Sequence, residues 1–251
     1  MKGLTALVTG GGSGIGYATT KMLLDAGANV MITGRTQSTL EEACSSLSGG
    51  THLQFMVGDV SSEGHARMLV SQTTKAFGAL HILINNAGVF SGGPLLQMEE
   101  DDFDYNINTN LKGTWLMCRY AARPIMDAGG GSIVNVSSYL ALRAHQSTPS
   151  CAYAAAKAGV LGLTRSLAVE LAAHKIRVNA VLPALVNTPM VSDLPGGEAA
   201  GELLTRAAKV HPIGRCGEPE DVARAIFFLA DPANSWLTGV EMTVDGGRAV
   251  I

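Results

Sequence analysis

The sequence predicts an α/β fold, a doubly wound sheet of about seven parallel strands with helices on both faces. Apolar runs rich in β-branched residues alternate with longer helical patterns from one end of the chain to the other. Several of the short runs are almost continuously apolar, as parallel strands covered on both faces must be. A glycine-rich turn stands directly between the first such run and the first helical pattern.

The first strand is Leu4-Thr5-Ala6-Leu7-Val8-Thr9, and it runs straight into Gly10-Gly11-Gly12-Ser13-Gly14-Ile15-Gly16. Glycines let a backbone turn tightly and approach a ligand closely, and the helix amino end that follows offers free N–H groups to an anion. The helix itself is predicted over residues 15–26. Further strands are predicted at 29–33, 53–57, 82–85, 132–136, 177–182 and 240–244. Helices are predicted at 39–47, 62–77, 101–128, 152–174 and 220–230. The alternation implies right-handed βα crossovers, with residues 1–251 read as a single domain and no internal repeat. Residues 187–210 break the rhythm with Pro189, Pro195, Gly196, Gly197 and Gly201. A loop of that length after a strand's carboxyl end reads as a lid over the substrate.

Composition bounds the function. The chain has 251 residues, 47% hydrophobic and 16% charged, with a net charge of −3, enough length for a large core in one domain. A slightly acidic balance carries no footprint for nucleic acid, and no basic run suggests a membrane surface. No apolar run approaches the ~20 residues of a membrane-spanning helix, and the start of the chain lacks the pattern of a signal peptide. A cytoplasmic location is expected. Cys44, Cys118, Cys151 and Cys216 are scattered without a C-x-x-C pair or clustered histidines, so four free thiols and no metal site are expected.

The chemistry is concentrated in Tyr153-Ala154-Ala155-Ala156-Lys157. A spacing of four puts the phenol and the ammonium on one face of a helical turn. A tyrosine hydroxyl has an ordinary pKa of about 10, and a nearby cation lowers it. Lowering it by about 3 units takes roughly 4 kcal/mol. Paired with a dinucleotide-type turn, this points to redox chemistry at a carbonyl or an alcohol.

Five motifs in order, covering essentially the whole chain, carry a resemblance. They are the Thr-Gly-x-x-x-Gly-x-Gly spacing from Thr9, Asn85-Asn86-Ala87-Gly88 after the fourth strand, Tyr153 with Lys157, Arg177-Val178-Asn179-Ala180-Val181-Leu182-Pro183, and Val244-Asp245-Gly246-Gly247. The chain resembles the short-chain dehydrogenase/reductase family, whose fold is Rossmann-like. The resemblance implies that Gly10, Ser13, Gly14, Ile15 and Gly16 wrap the pyrophosphate. Asp59 and Val60 would meet the adenine, and Asn86, Ala87 and Gly88 would line the adenosine ribose side and steady the central strands. Thr188, after Pro183, would reach the nicotinamide carboxamide. The family often has Pro-Gly where this chain has Pro183-Ala184.

The same resemblance assigns the chemical half. In Ser137-Ser138 at the end of the fifth strand the second serine would hold the substrate oxygen against Tyr153, and the first is read as a strand-end contact. Asn110, in Asn110-Leu111-Lys112-Gly113, would fix a water in a proton relay; Asn106 and Asn108 are read as ordinary polar contacts. Lys157 would lower the tyrosine pKa, helped by the oxidised nicotinamide, and bind the nicotinamide ribose. The gap between serine and tyrosine is about two residues longer than is usual in the family, around residues 143–150. Phe90, Leu95, Leu96, Leu140, Leu142, Leu185 and Met190 give the substrate region an apolar cast. Arg143 and His145 are read as solvated loop residues, and Cys151 as packing.

Coenzyme choice turns on Gly34 and Arg35 after the second strand. A carboxylate at the first of these would bind the ribose 2′-hydroxyl of NAD. Glycine there leaves room, and a guanidinium pairs well with a 2′-phosphate, so NADP is predicted over NAD. The leading reading is a carbonyl reductase or secondary-alcohol dehydrogenase for a small, largely apolar ketone. A 3-oxoacyl thioester reductase is the second, and a nucleotide-sensing protein without catalysis the third. By family likeness the helices at 101–128 and 152–174 and the last strand with its apolar tail would form two isologous interfaces of a homotetramer.

Overall fold

A computed structural model describes residues 1–145, 148–192 and 200–251. Seven parallel strands form one sheet: β1 (Thr5–Thr9), β2 (Asn29–Gly34), β3 (Leu53–Val57), β4 (Ile82–Asn85), β5 (Gly131–Val136), β6 (Ile176–Pro183) and β7 (Glu241–Val244). Their order in space is β3-β2-β1-β4-β5-β6-β7. The direction of winding reverses between β1 and β4, so the strand ends diverge there and leave a crevice at the carboxyl edge. Each predicted strand is present to within a residue or so.

The helices are α1 (Gly14–Asp25), α2 (Gln37–Leu47), α3 (Glu63–Phe77), α4 (Glu100–Asn106), α5 (Gly113–Asp127), α6 (Cys151–Leu171), α7 (Pro189–Ser192), α8 (Ala200–Ala208) and α9 (Pro219–Ala230). Side chains alternate across each strand, and the two faces fill different cores. Ala6, Val8, Val30, Ile32, Ile84 and Val134 pack with Leu23, Leu40, Val222 and Ile226, under α1, α2 and α9. Leu7, Met31, Leu83, Ile133 and Val178 pack with Leu69, Leu116, Ile125 and Leu171, under α3, α5 and α6. Near-continuous apolar strands are the direct result, because both faces are dry.

Two predicted elements differ in detail. The single helix expected over 101–128 is interrupted: α4 and α5 are joined by a π-helical stretch, Ile107–Lys112. One extra residue in a turn leaves the apolar pattern on either side intact, so periodicity does not register it. Residues 187–210 contain α7 and α8 rather than an unbroken loop. Both helices are too short for a periodic window, and the Pro and Gly between them mask their presence. Pro195, Gly196 and Gly197 lie outside the described residues.

The parallel pairing of β4 and β5 is too close at its start to admit a side chain. A Cβ on Gly131 would stand 2.0 Å from the His81 carbonyl oxygen, a backbone atom that cannot swing aside. Gly131→Ala should therefore lower stability by about 3 kcal/mol, measured as a drop in the denaturant midpoint at unchanged slope.

Candidate active site

The glycine-rich turn is held from behind. Thr9 Oγ1 donates to the Ile84 carbonyl and accepts from the N–H groups of Asn86 and Ala87. Asn86 Nδ2 donates to the carbonyls of Thr9 and Gly10 at 3.0 and 3.1 Å. Gly10 and Gly14 adopt φ of +62° and +50°, and a Cβ on Gly16 would sit 2.1 Å from the Gly10 oxygen. Ile15 packs its side chain toward the α1 core. Ser13 makes no side-chain cap to α1, so the first N–H groups of that helix are not claimed by it. This is a cradle that a dinucleotide pyrophosphate fits. Thr188 abuts it: a Cβ on Gly14 would lie 3.0 Å from Thr188 Cγ2.

From the turn a cleft of about 410 Å³ runs along the carboxyl edge of the sheet. Gly10, Gly12 and Ser13 line its middle, Arg35, Asp59 and Val60 one end, and Ala87, Gly88 and Phe90 the other. Val60 is buried, and Gly113 must lack a side chain because a Cβ would meet Val60 Cγ2 at 2.8 Å. Burial works to raise the Asp59 pKa, but hydrogen bonds from Ser61 and the charges of Arg35 and His65 prevail, and the carboxyl lies below its ordinary value. Arg35 does not hang free. Its Nη1 donates to Tyr105 Oη at 3.3 Å, with the guanidinium 6.0 Å from the ring centroid. Tyr105 was not legible as a site residue, since it comes from α4, seventy residues away along the chain.

The segment after β4 is half-buried, with Val89 fully so, and has no strand beside it, so its amides need other partners. Two asparagines supply them. Asn110 Oδ1 accepts from Val89 N–H at 3.1 Å, and its Nδ2 donates to the Val89 carbonyl at 3.0 Å. Asn106 does the same for Ser91, at 3.3 and 2.8 Å. Four residues of helix rise about 6 Å and two residues of extended chain about 6.6 Å, so the side-chain amides imitate a neighbouring strand. Both asparagines are fully buried. Asn106 thus has a larger structural role than a casual polar contact.

This brace brings Gly88 against the reactive groups. A Cβ there would lie 2.9 Å from Asn110 Oδ1 and 3.4 Å from Lys157 Nζ. Lys157 is buried, and its ammonium donates to the Val136 carbonyl at 2.9 Å. Ser137 Oγ donates to the Lys157 carbonyl at 2.8 Å, tying the end of β5 to α6. Ser138, also buried, accepts from Leu140 N–H at 3.2 Å, and its hydroxyl works to lower the Tyr153 pKa. Phe90 stands edge-on to the Tyr153 ring at 5.0 Å. The four groups Asn110, Ser138, Tyr153 and Lys157 converge on one spot.

The phenol, however, is not acidified by the lysine. Burial pushes Tyr153 up to about 12, the Ser138 hydrogen bond offsetting only part of it. Lys157 Nζ lies 5.6 Å from the Tyr153 ring centroid and points to a backbone carbonyl. Burial lowers the Lys157 pKa to about 8. Among the protein's own groups desolvation outweighs attraction, a cost that the i,i+4 spacing does not reveal.

The substrate side is only partly as predicted. Leu140 is buried, while Leu95 and Leu96 are 73% and 98% exposed and face solvent instead of lining a wall. His145 is not solvated. It stacks at 5.5 Å on Tyr139, and its Nδ1 meets Arg248 Nη2 at 3.0 Å. Arg143 is exposed but donates to the Ala249 carbonyl at 2.8 Å. Within the lengthened serine–tyrosine gap, Gln146 and Ser147 lie outside the described residues. All four cysteines are free. Among the described residues there is no cluster able to hold a metal and no helix long and apolar enough to cross a membrane.

Comparison with known proteins agrees with the geometry. A family model described as Enoyl-(Acyl carrier protein) reductase matches residues 10–249. The chain belongs to the short-chain dehydrogenase/reductase family and is an oxidoreductase acting on hydroxyl and carbonyl groups. The 3-oxoacyl-[acyl-carrier-protein] reductase of Chlamydia trachomatis is 36% identical, over 98% of this chain and 97% of its own. The cis-4-hydroxycyclohexanecarboxylate dehydrogenase of Sinomonas cyclohexanicum is 40% identical, over 98% and 96%. The crystal structure of levodione reductase superposes with a TM-score of 0.93 at 30% identity, covering 100% of this chain and 99% of that one.

Burial of Lys157 sets a pH-dependent stability. Its folded pKa of about 8 lies below the ordinary lysine value of 10.5. Between those values the unfolded chain binds more protons, so native stability rises with pH across that window. Lys157→Met removes the desolvation cost at the loss of one hydrogen bond. It should gain about 1–3 kcal/mol below pH 8, and the gain should vanish near pH 10.5, as followed by denaturant titration across pH.

Proposed function

We propose that the protein is an NADP-dependent carbonyl reductase or secondary-alcohol dehydrogenase for a small, largely apolar ketone. The supporting observation is Lys157 Nζ, 5.6 Å from the centre of the Tyr153 ring and close against Gly88, which lines the dinucleotide cleft. When bound, the dinucleotide supplies or accepts the hydride at the carbonyl carbon. Ser138 holds the substrate oxygen, and Tyr153 gives or takes the proton there. Lys157 keeps donors to spare beyond Val136 for ribose hydroxyls. Asn110 braces the wall at Val89 and stands beside the lysine as the anchor for a relay water.

Coenzyme choice rests on the other end of the cleft. Gly34 leaves space, and Arg35, held by Tyr105, presents a cation where a 2′-phosphate would lie. Residues 1–251 act as one dinucleotide-binding domain, with 187–210 as its lid, assembled as a homotetramer through the α4–α5 and α6 helices and the β7 edge.

The second reading is a 3-oxoacyl thioester reductase, favoured by the kinship with acyl-carrier reductases. The hydroxycyclohexanecarboxylate dehydrogenase, 40% identical, favours the small-substrate reading instead. Turnover of a simple cyclic ketone against a carrier-bound 3-oxoacyl substrate separates the two.

Tyr153→Phe removes only the transferable proton. It should cut kcat at least ~10³-fold while coenzyme affinity, read by fluorescence titration, stays within about twofold; near-normal rates would refute the assignment. Gly34→Asp should move the kcat/KM ratio toward NAD by tenfold or more, about 1.4 kcal/mol, and an unmoved ratio would contradict the NADP reading.

A further inference from the structure

The ladder that anchors the chain after β4 also fixes the side chain between its rungs. Val89 pairs with Asn110 and Ser91 with Asn106, and the Ser91 hydroxyl adds a bond of 2.8 Å to Asp102. Alternation along extended chain puts the Phe90 side chain on the other face from those of Val89 and Ser91. There it lines the end of the cleft with Gly88, Pro189 and Met190. Its ring centroid lies 5.0 Å from that of Tyr153, with the two planes at 61°.

The ring is held from its far side as well. A Cβ on Gly92 would stand 2.6 Å from both Cε1 and Cζ of Phe90, so the distal edge of the ring rests on bare Gly92 backbone. The same Cβ would lie 3.0 Å from the Pro149 carbonyl oxygen, and the Gly93 N–H donates to that oxygen at 3.0 Å. Pro149 directly precedes Ser150 and Cys151, where the helix bearing Tyr153 begins. The segment carrying the phenol and the segment carrying Phe90 are therefore stitched together around the aromatic ring. A wall fixed in advance loses no freedom when a ligand meets it, and it does not step aside for a bulky one.

We propose that Phe90 is a specificity-determining residue, a rigid apolar wall for one arm of the carbonyl compound held at Tyr153, which admits compact cyclic ketones and shuts out open-chain ketones branched on both arms. In a ring the two arms are tied back from the carbonyl, whereas in a branched open chain they spread. Each methyl that spreads toward Phe90 must displace an aromatic ring already backed by Gly92. This deepens, and rests on, the oxidoreductase reading of Tyr153 and Lys157.

The test measures kcat/KM, with NADPH and with NADH, for cyclohexanone and for diisopropyl ketone. The two arms of each ketone are identical, so the same group meets Phe90 in either orientation. Phe90→Ala should shrink the preference for cyclohexanone by about tenfold or more, through a gain on the branched ketone. Phe90→Leu should shrink it less, and carries the same test if alanine unfolds the chain. Gly92→Ala should alter the preference while Phe90 is present and leave it unmoved in the Phe90→Ala background. An unmoved preference in both Phe90 variants, or equal loss on both ketones, overturns the proposal. A second arm follows cyclohexanol and diisopropyl carbinol by ligand-observed NMR on protein loaded with reduced coenzyme, a pairing in which neither alcohol can be oxidised. Binding of cyclohexanol alone by the native protein and of both by Phe90→Ala upholds the wall even if no ketone is consumed, in which case the oxidoreductase reading fails by itself. Equal binding of both alcohols by the native protein, or no gain of diisopropyl carbinol in Phe90→Ala, overturns the wall.

Discussion

The half-buried chain that leaves β4 must satisfy its amides without a neighbouring strand, and the rest of the site depends on how it does so. Asn106 and Asn110 act as a two-rung ladder against Ser91 and Val89. Their spacing works because one helical turn and two extended residues advance by nearly the same distance. The π-helical stretch that holds Asn110 turns its side chain into this role. Gly88 is thereby pressed between Asn110 and Lys157, where no side chain fits. The same short segment closes the dinucleotide cleft on one side and meets the reactive lysine on the other.

Electrostatics at the centre is a contest that desolvation wins. Tyr153 is driven up to about 12 and Lys157 down to about 8, both by burial. Each shift disfavours the charged form, so the folded protein bears a stability cost for keeping a lysine where water is excluded.

At the far end of the sheet, Arg35 shows how a long cationic side chain is restrained. A long cationic side chain at a strand end would ordinarily sample many rotamers and lose entropy on binding a ligand. The Tyr105 hydroxyl and ring restrict it at the cleft mouth. A second long-range contact of the same kind joins Arg248, from the last turn of the chain, to His145 of the loop after β5.

Most of the architecture was legible in the sequence, because a parallel sheet dry on both faces demands near-continuous apolar strands and a tight βα turn demands glycine. The seven strands, the cradle at Gly10–Gly16 and the shared face of Tyr153 and Lys157 follow from local pattern and spacing, whereas Ser138 was implied by the family resemblance. What tertiary structure decided lies in contacts between separate elements. Spacing put Lys157 on the same face as Tyr153, but only the fold aimed its ammonium at the Val136 carbonyl. Asn106 became a strand surrogate, Tyr105 a partner for Arg35, and His145 a half-satisfied imidazole, each through a residue far along the chain. The π-turn and the helices within 187–210 escaped periodicity because they are shorter than the window that reveals it. Local sequence determines which elements form; burial and the partners it imposes determine what charge each side chain carries.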